Sequence, residues 1–412
     1  MKRSALSTDA LLFLALAGVQ LWVTLSGLSL LASLVVSVIG CYVAIDIFVA
    51  PSRSFILKLC LIWLLIAVIV IAPTVGWIYL RYTTVPHKFV HDGQIQIEEA
   101  IKFLLAAKNP YAEDYLNTPM AQWIFREGDL THNPGLYHFV YLPFLFVFSI
   151  PFYLSAQVTL GWFDQRMIYL PMFVMTLLFL SRMARARERQ LALLILVGLN
   201  PLFSSFVVEG RNDIFVLFWL ALSVLLIPQQ RLLSVVALAF ACASKSTAWF
   251  ILPFYAVYFF RLEGSDPLRG RTRLLPIVVF VVLVAVIVLP FVFWDSNAFL
   301  DDVWHYTAGS TQFAYPIKSW GFGGIALTLG WIGDPLDVFP FGVLQLIFGL
   351  PVLFLLIRYQ LAQNTTGRMW LCYGLFTFVI AFFSRVFNDN HLGYILTVFA
   401  IGALTEYEVD AG

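Results

Sequence analysis

Charge is scarce in this chain: charged residues make up 12% of the 412, against 61% hydrophobic ones. That leaves too little polar surface for a water-soluble globule of this size. The formal net charge is +1, so no massed field of either sign invites nucleic acid or an acidic partner. Cysteine is limited to Cys41, Cys60, Cys242 and Cys372, each inside an apolar run, which excludes a disulfide framework and a thiolate metal centre. A glycine-rich nucleotide loop, low-complexity segments, a soluble domain and internal repeats are all missing. No small-residue cleavage site follows Met1-Lys2-Arg3 before the second apolar run, so the first one reads as an uncleaved span.

What the chain has instead is a series of apolar runs near or above the length that crosses a bilayer. The fold class is therefore an all-α polytopic membrane protein. Fifteen of the twenty-five Lys and Arg fall in short connections: Lys2 and Arg3; Arg53 and Lys58; Arg182, Arg185, Arg187 and Arg189; Arg231; Arg261, Arg269, Arg271 and Arg273; Arg358 and Arg368. By the positive-inside rule these mark the cytoplasmic side. Spans at 10 to 27, 29 to 50 and 56 to 80 then deliver 81 to 135 outside, and 166 to 181 returns to the Arg-rich loop. Further spans are expected at 275 to 294, 339 to 357, 369 to 384 and 391 to 405, ahead of an acidic cytoplasmic tail at 406 to 412.

Two stretches do not thread as simple spans. Residues 136 to 160 must cross an even number of times but hold one span of apolar length, interrupted by Pro143 and Pro151. A re-entrant or interfacial hairpin is expected there. Residues 232 to 260 lie between two cytoplasmic arginines and are too short for two full helices, so two short helices should meet near Lys245-Ser246-Thr247. Broken helices at membrane depth need protein or a water-filled cavity to satisfy the freed backbone groups. The chain is thus one membrane domain of about 12 spans, divided as three N-terminal spans (1–80), a first extracytoplasmic loop (81–135), core helices (136–294), a second loop (295–338) and C-terminal spans with the tail (339–412).

This threading puts six sparse polar clusters on the extracytoplasmic side: His91-Asp92-Gly93, His132-Asn133-Pro134, Glu209 to Asp213, Lys245-Ser246-Thr247, Trp294-Asp295 and Asn388 to His391. In the first loop Ile97, Ala100, Ile101, Leu104 and Leu105 repeat with helical period, with Glu98, Glu99 and Lys102 opposite, which predicts an amphipathic helix lying along the membrane surface. Asp92, just before it, is either a helix-capping residue or a carboxylate at the lip of a cavity, where partial desolvation would keep it basic enough to deprotonate a hydroxyl. Arg211 beside Gly210, with Lys245, Arg385 and His391, offers cationic groups at one depth, suited to a phosphate or diphosphate. An internal pair between Arg211 and Asp213 or Glu209 is the structural alternative. Trp123, Trp294, Trp304, Trp320 and Trp331 are available to stack on sugar faces or to form an interfacial belt.

The order of these motifs resembles the GT-C superfamily of polyprenyl-phosphate-sugar-dependent glycosyltransferases, particularly glycosyltransferase family 87 and the catalytic subunit of GPI mannosyltransferase I. The resemblance rests on Asp92, Asn109-Pro110-Tyr111, Asn133-Pro134-Gly135-Leu136, Asn200-Pro201-Leu202, Gly210 to Asp213, Lys245 before Leu252-Pro253, and Phe387-Asn388. It spans residues 80 to 400. Three features depart from it. Val90 precedes His91-Asp92-Gly93, so one acid and not two carries over. Ala107-Lys108-Asn109 replaces the small residue before the Pro-Tyr step, and three spans rather than one precede the first loop.

The resemblance implies a GT-C-like bundle and an inverting transfer of a hexose, mannose as the first expectation, from a polyprenyl-phosphate donor to a glycan or glycolipid hydroxyl. Asp92 would be the general base. His91, His132, Asn133, Arg211, Asn212, Asp213, Lys245, Arg385, Asn388 and His391 are expected around the substrates. No metal ligand set and no cofactor is called for, and a divalent metal is left open. The expected partners are the lipid-linked donor, the acceptor and membrane lipids, with no nucleic acid. The expected location is the cell membrane with an extracytoplasmic site, or the ER membrane with a lumenal one. The alternative is a transporter or flippase for a lipid-linked glycan, which should show repeated halves and polar residues on both sides.

Overall fold

The computed structural model describes residues 6–24, 29–125, 132–261 and 270–405. The acidic tail at 406 to 412 and the basic residues Lys2, Arg3 and Arg269 lie outside them. Helices α1 (Thr8–Thr24) and α2 (Ser29–Phe48) precede α3 (Pro51–Ile66), which runs through one π turn, Ala67–Ile71, into α4 (Ala72–Thr83). The π turn comes just before Pro73, whose ring and missing N–H disturb the α-helical ladder there. Charge locks these helices together. Lys58 bonds Asp9 at 2.6 Å and Asp46 at 2.7 Å, and the Tyr42 hydroxyl donates to Asp9 at 2.8 Å. Ions buried this deeply are tolerated because each has a partner.

Next come α5 (Asp92–Leu105), the short α6 (Phe144–Val147) and α7 (Ile150–Leu160), then α8 (Arg166–Met183) and α9 (Arg187–Gly198). Where a hairpin is expected at 136 to 160, residues 144 to 160 make one apolar run of two short helices, α6 and α7. Pro143 caps α6 and Pro151 sits in the first turn of α7, positions where a proline needs no N–H partner, so neither forces a reversal. The segment still begins and ends near the first loop. The Gln96 side chain in α5 donates to the His138 carbonyl at 2.7 Å, and Asp164 bonds Arg81 at 2.8 Å.

After α9, Asn200 accepts from the Leu202 N–H at 3.0 Å and Pro201 opens α10 (Pro201–Glu209), bent by 53° from α9. Gly210 ends α10 at φ 87°, where a side chain would be strained and would run into Gln94. Helices α11 (Asp213–Leu226) and α12 (Arg231–Cys242) follow, then a 3-10 turn at Ser246–Ile251 and α13 (Leu252–Arg261). The break expected near Lys245 is therefore present. Its freed carbonyls are not wasted: the Leu142 and Phe144 N–H groups donate to Ser244 and Ala243.

The C-terminal part comprises α14 (Gly270–Trp294), α15 (Ser296–Leu300), a π turn at Asp301–His305, α16 (Tyr306–Ala308), α17 (Phe322–Thr328), α18 (Phe341–Ala362), α19 (Thr366–Phe382) and α20 (Asp389–Leu404). Strand β1 (Lys318–Ser319) pairs in parallel with β2 (Val386–Phe387), fastening the 295–338 loop to the approach to α20. A large apolar core spreads over α1 to α15 and α18 to α20, and a small one formed by Ile317, Ala326, Ile332 and Phe341 underlies the loop.

Among the described residues, five helices are long and apolar enough to cross a membrane: Leu30–Phe48, Arg53–Thr83, Arg166–Met183, Leu274–Trp294 and Phe341–Ala362. The bent pair α9 and α10 would make six. That is well short of about 12, because several apolar runs are interrupted by Pro201, Gly210 and residues 243 to 245 or form helices of 17 residues or fewer.

Candidate active site

The first part of the site is the start of α5. Phe89 takes a positive φ of 57°, turning the chain so that the His91 N–H donates to the Glu209 carbonyl at 2.8 Å and Asp92 opens the helix. The Asp92 carboxylate accepts from the Gly93 N–H at 2.7 Å through Oδ1 and from Asn133 Nδ2 at 2.6 Å through Oδ2. His91 Nδ1 lies 2.9 Å from the same Oδ1. Burial pushes this carboxyl up, but the charge and hydrogen bond of His91, with the bonds from Asn133 and Gly93, outweigh it and hold the group at about 2. Asp92 thus both starts a helix and carries a fixed negative charge. Desolvation alone would keep the group basic, but the neighbouring His91 charge and then the hydrogen bonds act against it.

Asn133 is itself held by accepting the Gly135 N–H at 3.0 Å. The Trp123 ring centre is 5.9 Å from that of His91, and its Nε1 donates to the Val90 carbonyl at 2.9 Å. Trp294, Trp304, Trp320 and Trp331 are exposed. His132, next to Asn133, is exposed as well.

The second part lies at the turn from α10 to α11 and the break after α12. Lys245 Nζ donates to Asp213 at 2.6 Å and to Asn212 at 3.0 Å, and Asn390 Nδ2 donates to the other Asp213 oxygen at 3.0 Å. Arg211 donates to Glu209 at 2.8 Å and to Asp389 at 3.4 Å, with its guanidinium 3.9 Å above the Phe206 ring. Lys245 and Arg211 therefore both have carboxylate partners, and the internal Arg211–Glu209 pair is real. His391 Nδ1 accepts from the Asn388 N–H at 3.1 Å, which leaves the hydrogen on Nε2 and makes this ring a neutral donor, not a cation. Arg385 is not in this group. It is buried and donates to the carbonyls of Tyr315, Asp337 and Pro335, a bracket for the 295–338 loop.

A buried network that the sequence reading missed joins the two parts. Arg166 donates to the carbonyls of Phe89 at 2.8 Å and Val208 at 2.9 Å, so one side chain holds both loops. Arg166 is paired with Asp164, Asp164 with Arg81, and Arg81 with Glu98 at 2.7 Å. Gln94 bonds Glu98 and Asp164, both at 2.8 Å. The polar face of α5 thus looks into protein, not water, and this helix does not lie free on a surface. The run Asp164-Gln165-Arg166 at the head of a span was the available signal. Tyr141 adds a further contact, its hydroxyl set against Gly93 so closely that a side chain there would meet it.

Residues 142–261 match a family model, that of the MptA_B family, described as the alpha-(1->6)-mannopyranosyltransferase N-terminal domain. The match supports a glycosyltransferase of the mannosyltransferase kind. It covers α6 to α13, with Arg211, Asn212, Asp213 and Lys245, and begins after Asp92 and Asn133, which lie outside it. No curated protein and no solved structure matches.

Proposed function

We propose that this protein is a membrane glycosyltransferase that passes a hexose, mannose first, from a polyprenyl-phosphate donor to a glycan or glycolipid hydroxyl on the extracytoplasmic face, with inversion. The observation that carries this reading is the meeting of Asp92 and Asn133 with the Asp213–Lys245–Asn390 cluster across the His91–Glu209 backbone bond, in a chain whose residues 142–261 match a mannosyltransferase domain.

In this reaction the acceptor oxygen forms a bond to the anomeric carbon as the bond from that carbon to the phosphate oxygen breaks. The phosphate leaves with the electron pair, and the acceptor proton passes to Asp92. A carboxylate held at about 2 is a weak base. It aligns the hydroxyl first and takes the proton late, once the forming bond has made that proton acidic. Arg211 and Lys245, each held in place by carboxylate partners (Glu209 and Asp389, and Asp213), turn N–H donors to the departing phosphate and stabilise its charge. The Nε2–H of His391 and the amides of Asn212 and Asn390 add neutral donors.

The experiment that tests this is incubation of the purified protein with a panel of polyprenyl-phosphate sugars and a hydroxyl acceptor, reading released polyprenyl phosphate. Release with one sugar supports the proposal, and release with none overturns it.

A further inference from the structure

Outside the groups assigned above, three metal-ligating side chains from two distant segments converge. His138 comes from the loop that enters α6, and Asp301 and Asp302 from the π turn after α15. His138 Nδ1 is 2.9 Å from Asp302 Oδ1 and 3.6 Å from Asp301 Oδ2, and one ligand atom from each residue lies within 4.8 Å of the others. Ligands at about 2.0 to 2.2 Å from a common ion stand roughly 3 to 3.4 Å apart, so little movement would seat one.

The orientation of the histidine is fixed from outside the cluster. Its Nε2 is 2.7 Å from the Gln312 carbonyl, which can only accept, so Nε2 carries a hydrogen and Nδ1 is the nitrogen that faces the two carboxylates, where a bound cation would take its lone pair. Metal-ligating histidines are held in this way, by the nitrogen that does not bind the metal. The other members are held too. The Phe139 N–H donates to Asp302 Oδ2 at 2.8 Å, the Thr311 hydroxyl donates to Asp301 at 2.8 Å, and Tyr306 stacks on the imidazole at 4.7 Å. Asp301 also lines an open depression with Asn297, Ala298, Leu300 and His305, so solvent can reach the cluster from its side.

We propose that His138, Asp301 and Asp302 form a binding site for one divalent cation of the zinc or manganese type, which staples the 295–338 loop to the segment that carries Asn133. One imidazole and two carboxylates suit these ions. The sequence reading assigned no metal, because the ligands are 163 and 164 residues apart and only the fold joins them. The inference is independent of the sugar-transfer reading, since cation binding is measured without donor or acceptor.

The test is calorimetric titration of the full, chelator-treated protein with zinc chloride and, separately, manganese chloride, alongside thermal melting with and without each salt. One equivalent should bind and raise the melting temperature. Asp301→Asn is the first variant, because Asp301 is 43% exposed on its side chain and its loss leaves the core intact. It should weaken binding roughly 10-fold or more while melting like the unsubstituted protein in chelator. Asp302→Asn should weaken it as well. Absence of saturable binding by both ions in the unsubstituted protein would mean that the cluster is an imidazolium–carboxylate pair and would overturn the proposal. So would binding that neither substitution changes, since the ion would then sit elsewhere.

Discussion

The His91 backbone N–H donates to the Glu209 carbonyl at 2.8 Å, joining the head of the first-loop helix to the turn that presents Arg211. Through this bond a carboxylate and a guanidinium more than a hundred residues apart share one end of the helix bundle. Arg166 reinforces the joint from beneath, so both loops are set by buried groups and not by surface contacts.

Asp92→Asn keeps the size of the side chain and removes the proton acceptor. Transfer should fall by about two to four orders of magnitude, with expression and donor binding near the unsubstituted level. Initial rates of polyprenyl phosphate release provide the check, and a variant retaining a substantial fraction of the rate would move the base to another residue.

The same carboxyl predicts a pH effect on stability. Its folded value, about 2, is below the usual 3.8, so its stabilisation is complete above the unfolded value and is lost as pH falls toward 2. The side chain is 18% exposed, and the shift corresponds to about 2 kcal/mol. Melting temperatures between about pH 5 and pH 2, roughly the window of that titration, should converge for the unsubstituted and Asp92→Asn proteins as the pH drops. Parallel curves would contradict the assignment.

Arg211 and Lys245 can be separated by their partners. Lys245→Gln leaves Asp213 buried and without its cation, which should cost about 3 to 5 kcal/mol as well as donor affinity. The carboxylate partners of Arg211, Glu209 and Asp389, are far more exposed than Asp213, so Arg211→Gln should lower donor affinity with little loss of stability, and Arg211→Lys should fail to restore it because Lys lacks the two-pronged contact. Donor dissociation constants measured beside melting temperatures decide the matter: an Arg211→Gln protein that melts early yet binds donor normally would leave Arg211 a purely structural residue.

Sidedness is testable without any substrate. In a cysteine-free background, single cysteines at the exposed positions Asn117 and Ser310 should react with an impermeant thiol reagent added to intact cells, and one at the exposed Gln363 only after lysis. Labelling of the Gln363 position in intact cells would invert the threading.

Residues with local reasons for their conformation could be read from the sequence. Asn200-Pro201 and Gly210 break a helix wherever they stand, the polar Lys245 triplet interrupts an apolar run, and Asp92-Gly93 starts the helix that the spacing of Ile97 and Ile101 announces. The apolar length of Leu30 to Phe48 and of Arg53 to Thr83 likewise follows from composition alone. Partnership was decided only by the tertiary structure. Whether Glu98 meets water or Arg81, whether Arg211 is free or held by Glu209, whether Arg385 joins the site or braces a loop, and whether His138 finds Asp302 all depend on distances across the fold. Backbone preference acts over a few residues, whereas the charge on a side chain is set by desolvation and by whichever groups three-dimensional packing brings within about 3 to 4 Å.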